Sequence, residues 1–270
     1  MTTRDGSAMP YAINQIDGLR VNFEDWGGMG VPVVFYTGFL DPIAVAQASG
    51  IAHGLRDEFR LIFSDHRGHG NSDKPIDPAA YGLRIRVADH LAVLDALGID
   101  RAHVIGFSWG ARLGFAIGEQ APDRVRSLVL CGNQPYEWDL SSPIARALAA
   151  GMEASRTDGM EGLIEGFESG LGIRFQEPAR TLELANDPEA LYAAWKSVPA
   201  EGSISDDLTR WRVPCLIYCG SDDEMHDAAR RGAEEIPSAT FLSLPGHTHV
   251  SAEGEVGAIL GPIRELLRSH

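Results

Sequence analysis

The feature that most constrains this chain is a rhythm. Short, continuous apolar runs are each followed by a stretch with helical spacing. VPVVFYTG, FRLIFSD, RAHVIGFS and RVRSLVLCG are the runs. A strand that is apolar on both faces must be covered on both, which is the signature of a buried parallel sheet. Between the runs, IAVAQASGIAHGLRDEF, LRIRVADHLAVLDALG and GARLGFAIGEQAP read as helices. In the second, Ile85, Ala88, Leu91, Val93 and Leu94 line one broad face, and Gly98 ends it. Strands alternating with helices predict an α/β fold with helices on both faces of the sheet. Right-handed crossovers then bring the C-terminal strand ends to one edge, where sites form in such sheets. Ahead of the rhythm, AINQI and RVNFEDW flank Asp17-Gly18 and read as a hairpin.

The rhythm breaks at Gly132 and resumes at VPCLIYCG, residues 213–220. The intervening residues have helical character, as in SSPIARALAAGMEASR, MEGLIEGFESGLG and PEALYAAWKSV, and contain no convincing strand. Because strands and helices continue to alternate afterwards, this segment reads as an insertion. The expected division is a core of residues 1–132 and 211–270 with an insertion at 133–210. The last unit is a helix (HDAARRGAEEI), a strand (ATFLSL), a loop (PGHTHVSAEG) and a final helix (EVGAILGPIRELLR).

A formal net charge of −15 argues against nucleic acid, whose phosphates would be repelled unless a basic patch offset it. Arg84, Arg86 and Arg112 are scattered and form no such patch. MTTRDGSAMPYAINQIDG has no secretory apolar run, and no stretch approaches the ~20 apolar residues of a membrane span. Cys131, Cys215 and Cys219 lie in strand-like runs without a C-x-x-C pair. They read as small buried hydrophobes rather than a disulfide framework or zinc site, and a reducing cytoplasm fits. His66, His69, His90 and His103 have no metal-ligand spacing and read as structural or surface residues. No cofactor or metal is expected.

Gly106-Phe107-Ser108-Trp109-Gly110 fits G-x-S-x-G. It follows the apolar strand HVIGF and opens the helix ARLGFAIGE. A sharp strand-to-helix turn lifts a serine Oγ clear of the sheet, and glycines on either side avoid collisions. The helix N-terminus supplies free N–H groups, that of Trp109 being a natural oxyanion donor. A serine hydroxyl needs a base, and the base needs a group to orient it. Ser221-Asp222-Asp223-Glu224 follows one downstream strand, and Pro245-Gly246-His247-Thr248-His249 follows the next.

Four motifs together resemble the α/β-hydrolase superfamily over nearly the whole chain: GFSWG, DHRGHGNSDKP, CGSDDEM and LPGHTHVSAE. The resemblance implies a mostly parallel eight-stranded sheet, and a helical cap formed by the insertion. It points to Asp223 as the acid, with Asp222 and Glu224 as runners-up. It favours His249 over His247 as the base, from its spacing after Pro245, leaving His247 either as a substrate-binding residue of the entrance or as incidental. Where the family often has His-Gly, this chain has Thr37-Gly38-Phe39. The second oxyanion N–H is then expected from Phe39, with Leu40 and Asp41 as neighbouring alternatives. Trp138, Phe167, Phe175, Tyr192 and Trp195 fall in the insertion and could line a pocket or pack it internally; Trp138 is the substrate-binding candidate.

Serine points to acyl transfer through a covalent acyl-enzyme. The expected activity is hydrolysis of a small, largely apolar ester, lactone or related acyl compound. The rivals are carbon–carbon bond hydrolysis, perhydrolysis or aminopeptidase action by the same triad, cofactor-free lyase or oxygenase chemistry, and a ligand receptor on this fold.

Overall fold

The computed structural model describes residues 11–270. The leader-free reading of residues 1–10 lies outside them. Eight strands form one sheet: β1 (Tyr11–Ile13), β2 (Arg20–Asp25), β3 (Pro32–Tyr36), β4 (Arg60–Ser64), β5 (Ala102–Phe107), β6 (Val125–Cys131), β7 (Cys215–Gly220) and β8 (Ala239–Leu244). Their order is β1-β2-β4-β3-β5-β6-β7-β8. β2 runs antiparallel to both β1 and β4, and β3 to β8 are parallel. The apolar runs behave as their composition requires. Along β5 and β6, Val104, Leu128 and Leu130 enter the core on one face, while Ile105, Val129 and Cys131 enter the core on the other. Each fully buried branched side chain contributes roughly 1.5–3 kcal/mol relative to exposure.

The helices are α1 (Ile43–Ala48), α2 (Gly50–Leu55), α3 (Leu83–Ala96), α4 (Trp109–Gln120), α5 (Pro143–Leu171), α6 (Ala179–Leu184), α7 (Pro188–Ser197), α8 (His226–Glu235), α9 (His249–Glu253) and α10 (Val256–Ser269). α3, α4 and α8 share one core with the insertion, and α1, α2 and α10 share the other. α5, α6 and α7 lie between β6 and β7 in the chain. Ser142 and Asp187 cap α5 and α7, each followed by a proline at the first helical position. α5 breaks sharply at Gly159 (φ 61°, ψ −145°), so its two arms correspond to the two helices expected there.

Three local expectations change. The hairpin turn is longer than Asp17-Gly18, because Asn14, whose N–H still bonds Leu19 O (2.9 Å), also accepts from Gly18 N on its carbonyl (2.9 Å). Its side-chain amide donates to Asp89 Oδ1 (2.6 Å) and Ile85 O (3.0 Å), and its Oδ1 accepts from Ile16 N (2.8 Å), so β1 ends at Ile13. The helix expected after β3 is two helices, since Ser49 adopts extended backbone (ψ 145°) and its hydroxyl caps α2 through Ala52 N. The loop after β8 contains the short helix α9, which Thr248 and Ser251 open with a reciprocal capping box.

β4 lies on one side of β3 and β5 on the other. The chain therefore reverses its winding between β3 and β5, and the loops leaving their C-terminal ends diverge around a crevice. No helix of the described residues is long and apolar enough to cross a membrane.

Candidate active site

Ser108 occupies that crevice. It is the one non-glycine residue with positive φ among those described (φ 49°, ψ −109°). Such a backbone costs on the order of 1–3 kcal/mol and persists only where its surroundings over-determine it. Those surroundings are visible. Ser108 N donates to Cys131 O (2.8 Å), and Gly110 N to Thr37 O (2.9 Å). Ser108 O accepts from Arg112 N (3.0 Å) and from Asn133 Nδ2 (3.0 Å). The flanking glycines are steric necessities. A Cβ at Gly106 would sit 2.4 Å from Gly110 O, and one at Gly110 would sit 2.4 Å from Tyr36 O. Gly110→Ala is expected to destabilise the fold by more than ~3 kcal/mol, because the contact is with backbone and cannot relax cheaply. Urea unfolding of the variant checks this; a loss under ~1 kcal/mol would show that the turn has slack.

His249 Nε2 lies 3.0 Å from Ser108 Oγ, and His249 Nδ1 lies 2.8 Å from Asp223 Oδ2. An ionised carboxylate only accepts, so the imidazole proton sits on Nδ1 and the Nε2 lone pair faces the hydroxyl. Burial pushes the Asp223 carboxyl up, but the His249 hydrogen bond and charge, aided by Met225 N–H, hold it below the ordinary aspartate value. A third donor, the buried Cys219 thiol, reaches the same Oδ2 at 3.3 Å. Reading the cysteines as buried and unpaired matches their free, buried state but misses this contact. The runner-up acids are engaged elsewhere: Asp222 accepts from Ser221 Oγ (2.9 Å) and Glu224 from Ile144 N (3.0 Å) at the start of α5.

His247 does not line the crevice. Its Nδ1 lies 3.3 Å from Ser251 O, and its Nε2 lies 3.7 Å from Glu255. It is thus not brought to the cavity with the other candidates. Gly246 turns the chain at φ 73°, so His247 faces the outer side of α9 while His249, the first residue of that helix, faces inward.

The β3 loop is braced from three sides. Thr37 Oγ1 donates to Asp41 O (2.6 Å), closing the turn. His66 Nε2 donates to Thr37 O (3.0 Å), and the His69 ring meets Phe39 O. Asn186, just past α6, donates to Leu40 O (2.7 Å). Asp41 N is directed at Gly38 O (3.4 Å), whereas Phe39 N has no acceptor among the described residues. Trp109 N, at the first position of α4, has no acceptor within its own helix. Two amides without acceptors thus border Ser108. All four core histidines are buried, not superficial, and desolvation pushes His69 and His103 down to about 4 and His90 to about 3.

Trp109 is clamped. Arg86 stacks over its indole at 3.9 Å and donates to its carbonyl (3.2 Å), and Phe39 meets it edge-on at 5.0 Å. Arg86 and Arg112 share the buried Glu201 (3.1 and 3.2 Å). Arg112 also donates to Gln134 O, Tyr136 O and Gly202 O, so one side chain on α4 holds both ends of the insertion. These residues match no motif.

The crevice opens into a cavity of about 360 Å³ with mostly apolar walls. Trp138, Phe167 and Phe175 line it, with Trp138 Nε1 donating to Asn133 Oδ1 (3.3 Å). Tyr192 does not line it and reaches Glu153 instead (3.3 Å), and Trp195 packs behind Trp138 (6.4 Å). No group of three or more His, Cys, Asp or Glu side chains is placed to hold a metal among the described residues.

A model of the alpha/beta hydrolase fold matches residues 31–153. A non-heme chloroperoxidase from Streptomyces lividans is 29% identical over 86% of this chain and 90% of its own length. A putative carbamate hydrolase from Caulobacter sp. (strain K31) is 28% identical over 72% of this chain and 75% of its own. Among solved structures, an enol-lactonase from Burkholderia xenovorans LB400 superposes with a TM-score of 0.79 at 24% identity, covering 96% of this chain and all of that one. At that identity the superposition speaks for the fold alone. With the family match, the strand order and the strand-turn-helix at Ser108, the chain has the α/β-hydrolase fold.

Proposed function

We propose that the protein is a serine hydrolase acting on a small, largely apolar ester, lactone or related acyl compound. The observation that carries this reading is the unbroken hydrogen-bond chain from Asp223 through His249 to Ser108 at the floor of an apolar cavity. Ser108 Oγ attacks the acyl carbon while its proton passes to His249 Nε2. The carbonyl π electrons move onto oxygen, and the Phe39 and Trp109 N–H groups hold that oxyanion. Collapse expels the leaving group, which takes the proton from His249, and leaves an acyl-serine. Water then repeats the sequence and frees the acid. Asp223 keeps the imidazole in the required tautomer and supports the imidazolium. In this reading, residues 133–210 act as a cap over a core of 1–132 and 211–270, and Trp138 contacts substrate. Acyl chemistry is also what the name of one similar protein suggests, a putative carbamate hydrolase.

The test pairs hydrolysis of p-nitrophenyl esters and lactones with a fluorophosphonate probe. Turnover and a single adduct on Ser108 are expected; an unlabelled, inactive protein would overturn the proposal. A second reading is favoured by the similarity to a chloroperoxidase: hydrogen peroxide, rather than water, intercepts the acyl-serine to give a peracid. Peracid release in the presence of peroxide and a simple carboxylate ester distinguishes it.

The Cys219 contact carries its own prediction. Cys219→Ala removes one donor from Asp223 Oδ2 and is expected to lower kcat about two- to tenfold, the worth of one modest hydrogen bond. Cys219→Ser should retain most of it. Equal rates in all three proteins would make the thiol mere packing.

A further inference from the structure

The cavity that holds Ser108 has one wall unlike the rest. Asp41 from the β3 loop, Glu183 from α6 and Glu253 from the end of α9 all line it. The three carboxyls come from three separate elements and converge on a cavity whose other walls are chiefly apolar. The Asp41 and Glu183 carboxyls are in hydrogen-bonding contact with each other. Glu183 is 1% exposed, and its Oε2 accepts no hydrogen bond from any donor among the described residues. Cations are close but committed elsewhere. Arg174 pairs with Glu168 (2.6 Å), and Arg180 with Glu161 (2.7 Å). Glu168 makes the contrast plain: equally buried, it receives both Arg174 and the N–H of Phe175 (2.8 Å). The protein gives that carboxylate a cation and an N–H, whereas Glu183 has only the Asp41 carboxyl beside it.

A buried carboxylate without a donor is costly, and two in contact cannot both ionise. We propose that Asp41 and Glu183 form a polar subsite in the substrate cavity that receives a hydrogen-bond-donating group, a hydroxyl or an ammonium, carried by the substrate, and that this subsite excludes substrates bearing a carboxylate there. The subsite deepens the serine-hydrolase reading and rests on it. Desolvation pushes both carboxyls up, and their contact favours one shared proton and one negative charge over two charges. Desolvation also pushes Glu253 up to about 8, which favours its protonated form. That charge has a consequence for catalysis, because Asp41 is two residues from Phe39. A fixed anion near the oxyanion pocket opposes the charge that develops in the transition state, and a donor from the substrate offsets it. A second anion would add to the opposition.

The test uses aryl esters of matched chain length whose acyl chains end in methyl, hydroxyl, ammonium or carboxylate, prepared at several lengths. For the wild type at neutral pH, kcat/KM for the best ammonium or hydroxyl ester should exceed that of the equal-length carboxylate ester by about tenfold or more. The hydroxyl and ammonium arms separate a neutral donor from a cation. Asp41→Asn combined with Glu183→Gln, which keeps the shape and removes the pair's charge, should shrink the ammonium-to-carboxylate ratio by about tenfold, and Asp41→Leu combined with Glu183→Leu should abolish any preference for a donor over methyl. Ratios are read within each variant, so a partly unfolded fraction cancels. Wild-type ratios near one at every length, or ratios unmoved by both substitutions while the esters are still hydrolysed, would overturn the subsite. Absence of all ester hydrolysis and of fluorophosphonate labelling would instead overturn the serine-hydrolase reading beneath it.

Discussion

Ser108→Ala is expected to lower kcat/KM toward any ester substrate by about 10⁴- to 10⁶-fold, and to abolish fluorophosphonate labelling, with little change in stability. The size follows from how the site acts. Removing Oγ deletes the covalent route, and His249 and Asp223 then have no hydroxyl to activate. What survives is binding and the proposed oxyanion N–H groups of Phe39 and Trp109, which belong to the backbone and are untouched. The stability of the variant matters because Ser108 holds a strained backbone (φ 49°). Alanine has the same Cβ and meets the same strain, and none of the hydrogen bonds that fix the turn uses the Ser108 side chain. A thermal midpoint close to wild type alongside lost activity would confine the defect to chemistry. Turnover within about tenfold of wild type would mean that Ser108 is not the attacking group, and would revive cofactor-free chemistry with His249 as the base.

Ser108 was legible in sequence because its constraints are local. Two glycines, a preceding apolar strand and a following helix all lie within a few residues of it. Asp223 and His249 were legible at lower resolution, as a carboxylate just past β7 and an imidazole just past β8. The choice between His247 and His249 depends on a turn at Gly246 and on a short helix beginning at His249, and composition does not announce a five-residue helix. The fold was legible in its strands because buried parallel strands are continuously apolar. It was less so where one side chain redirects the backbone, as Asn14 does after β1 and Ser49 between α1 and α2. Least legible were pairings between the insertion and the rest of the chain. Glu183 and Asp41 are far apart in sequence, as are Glu201 and its two arginines, and nothing around any of them marks the encounter.

Glu201→Ala, at that second encounter, is expected to cost about 3–5 kcal/mol of stability and to reduce activity in the fraction that remains folded. The Glu201 side chain is 3% exposed and stands between Arg86 and Arg112, which are 2% and 1% exposed. Removing the carboxylate leaves two guanidiniums buried side by side with no counter-charge. Burial already pushes Arg86 down to about 10 with Glu201 present, so the site has no reserve of solvation to call on. Activity is tied to the same group because Arg86 covers the Trp109 ring and bonds its carbonyl, and Trp109 N is a proposed oxyanion donor. Arg112, freed from Glu201, would still hold Gln134, Tyr136 and Gly202, but as an uncompensated cation. Glu201→Gln separates charge from shape: it preserves volume and an acceptor oxygen, and should fall between wild type and Ala. A triple replacement of Arg86, Glu201 and Arg112 by apolar residues of similar size gives the decisive comparison, since an intact buried ion network is often worth no more than good packing. Recovery of most of the lost stability in the triple variant, with kcat still depressed, would show that the network's contribution is the position of Trp109. A Glu201→Ala protein as stable in urea as wild type would show that water reaches the arginines and that the two ends of the insertion are not clasped there.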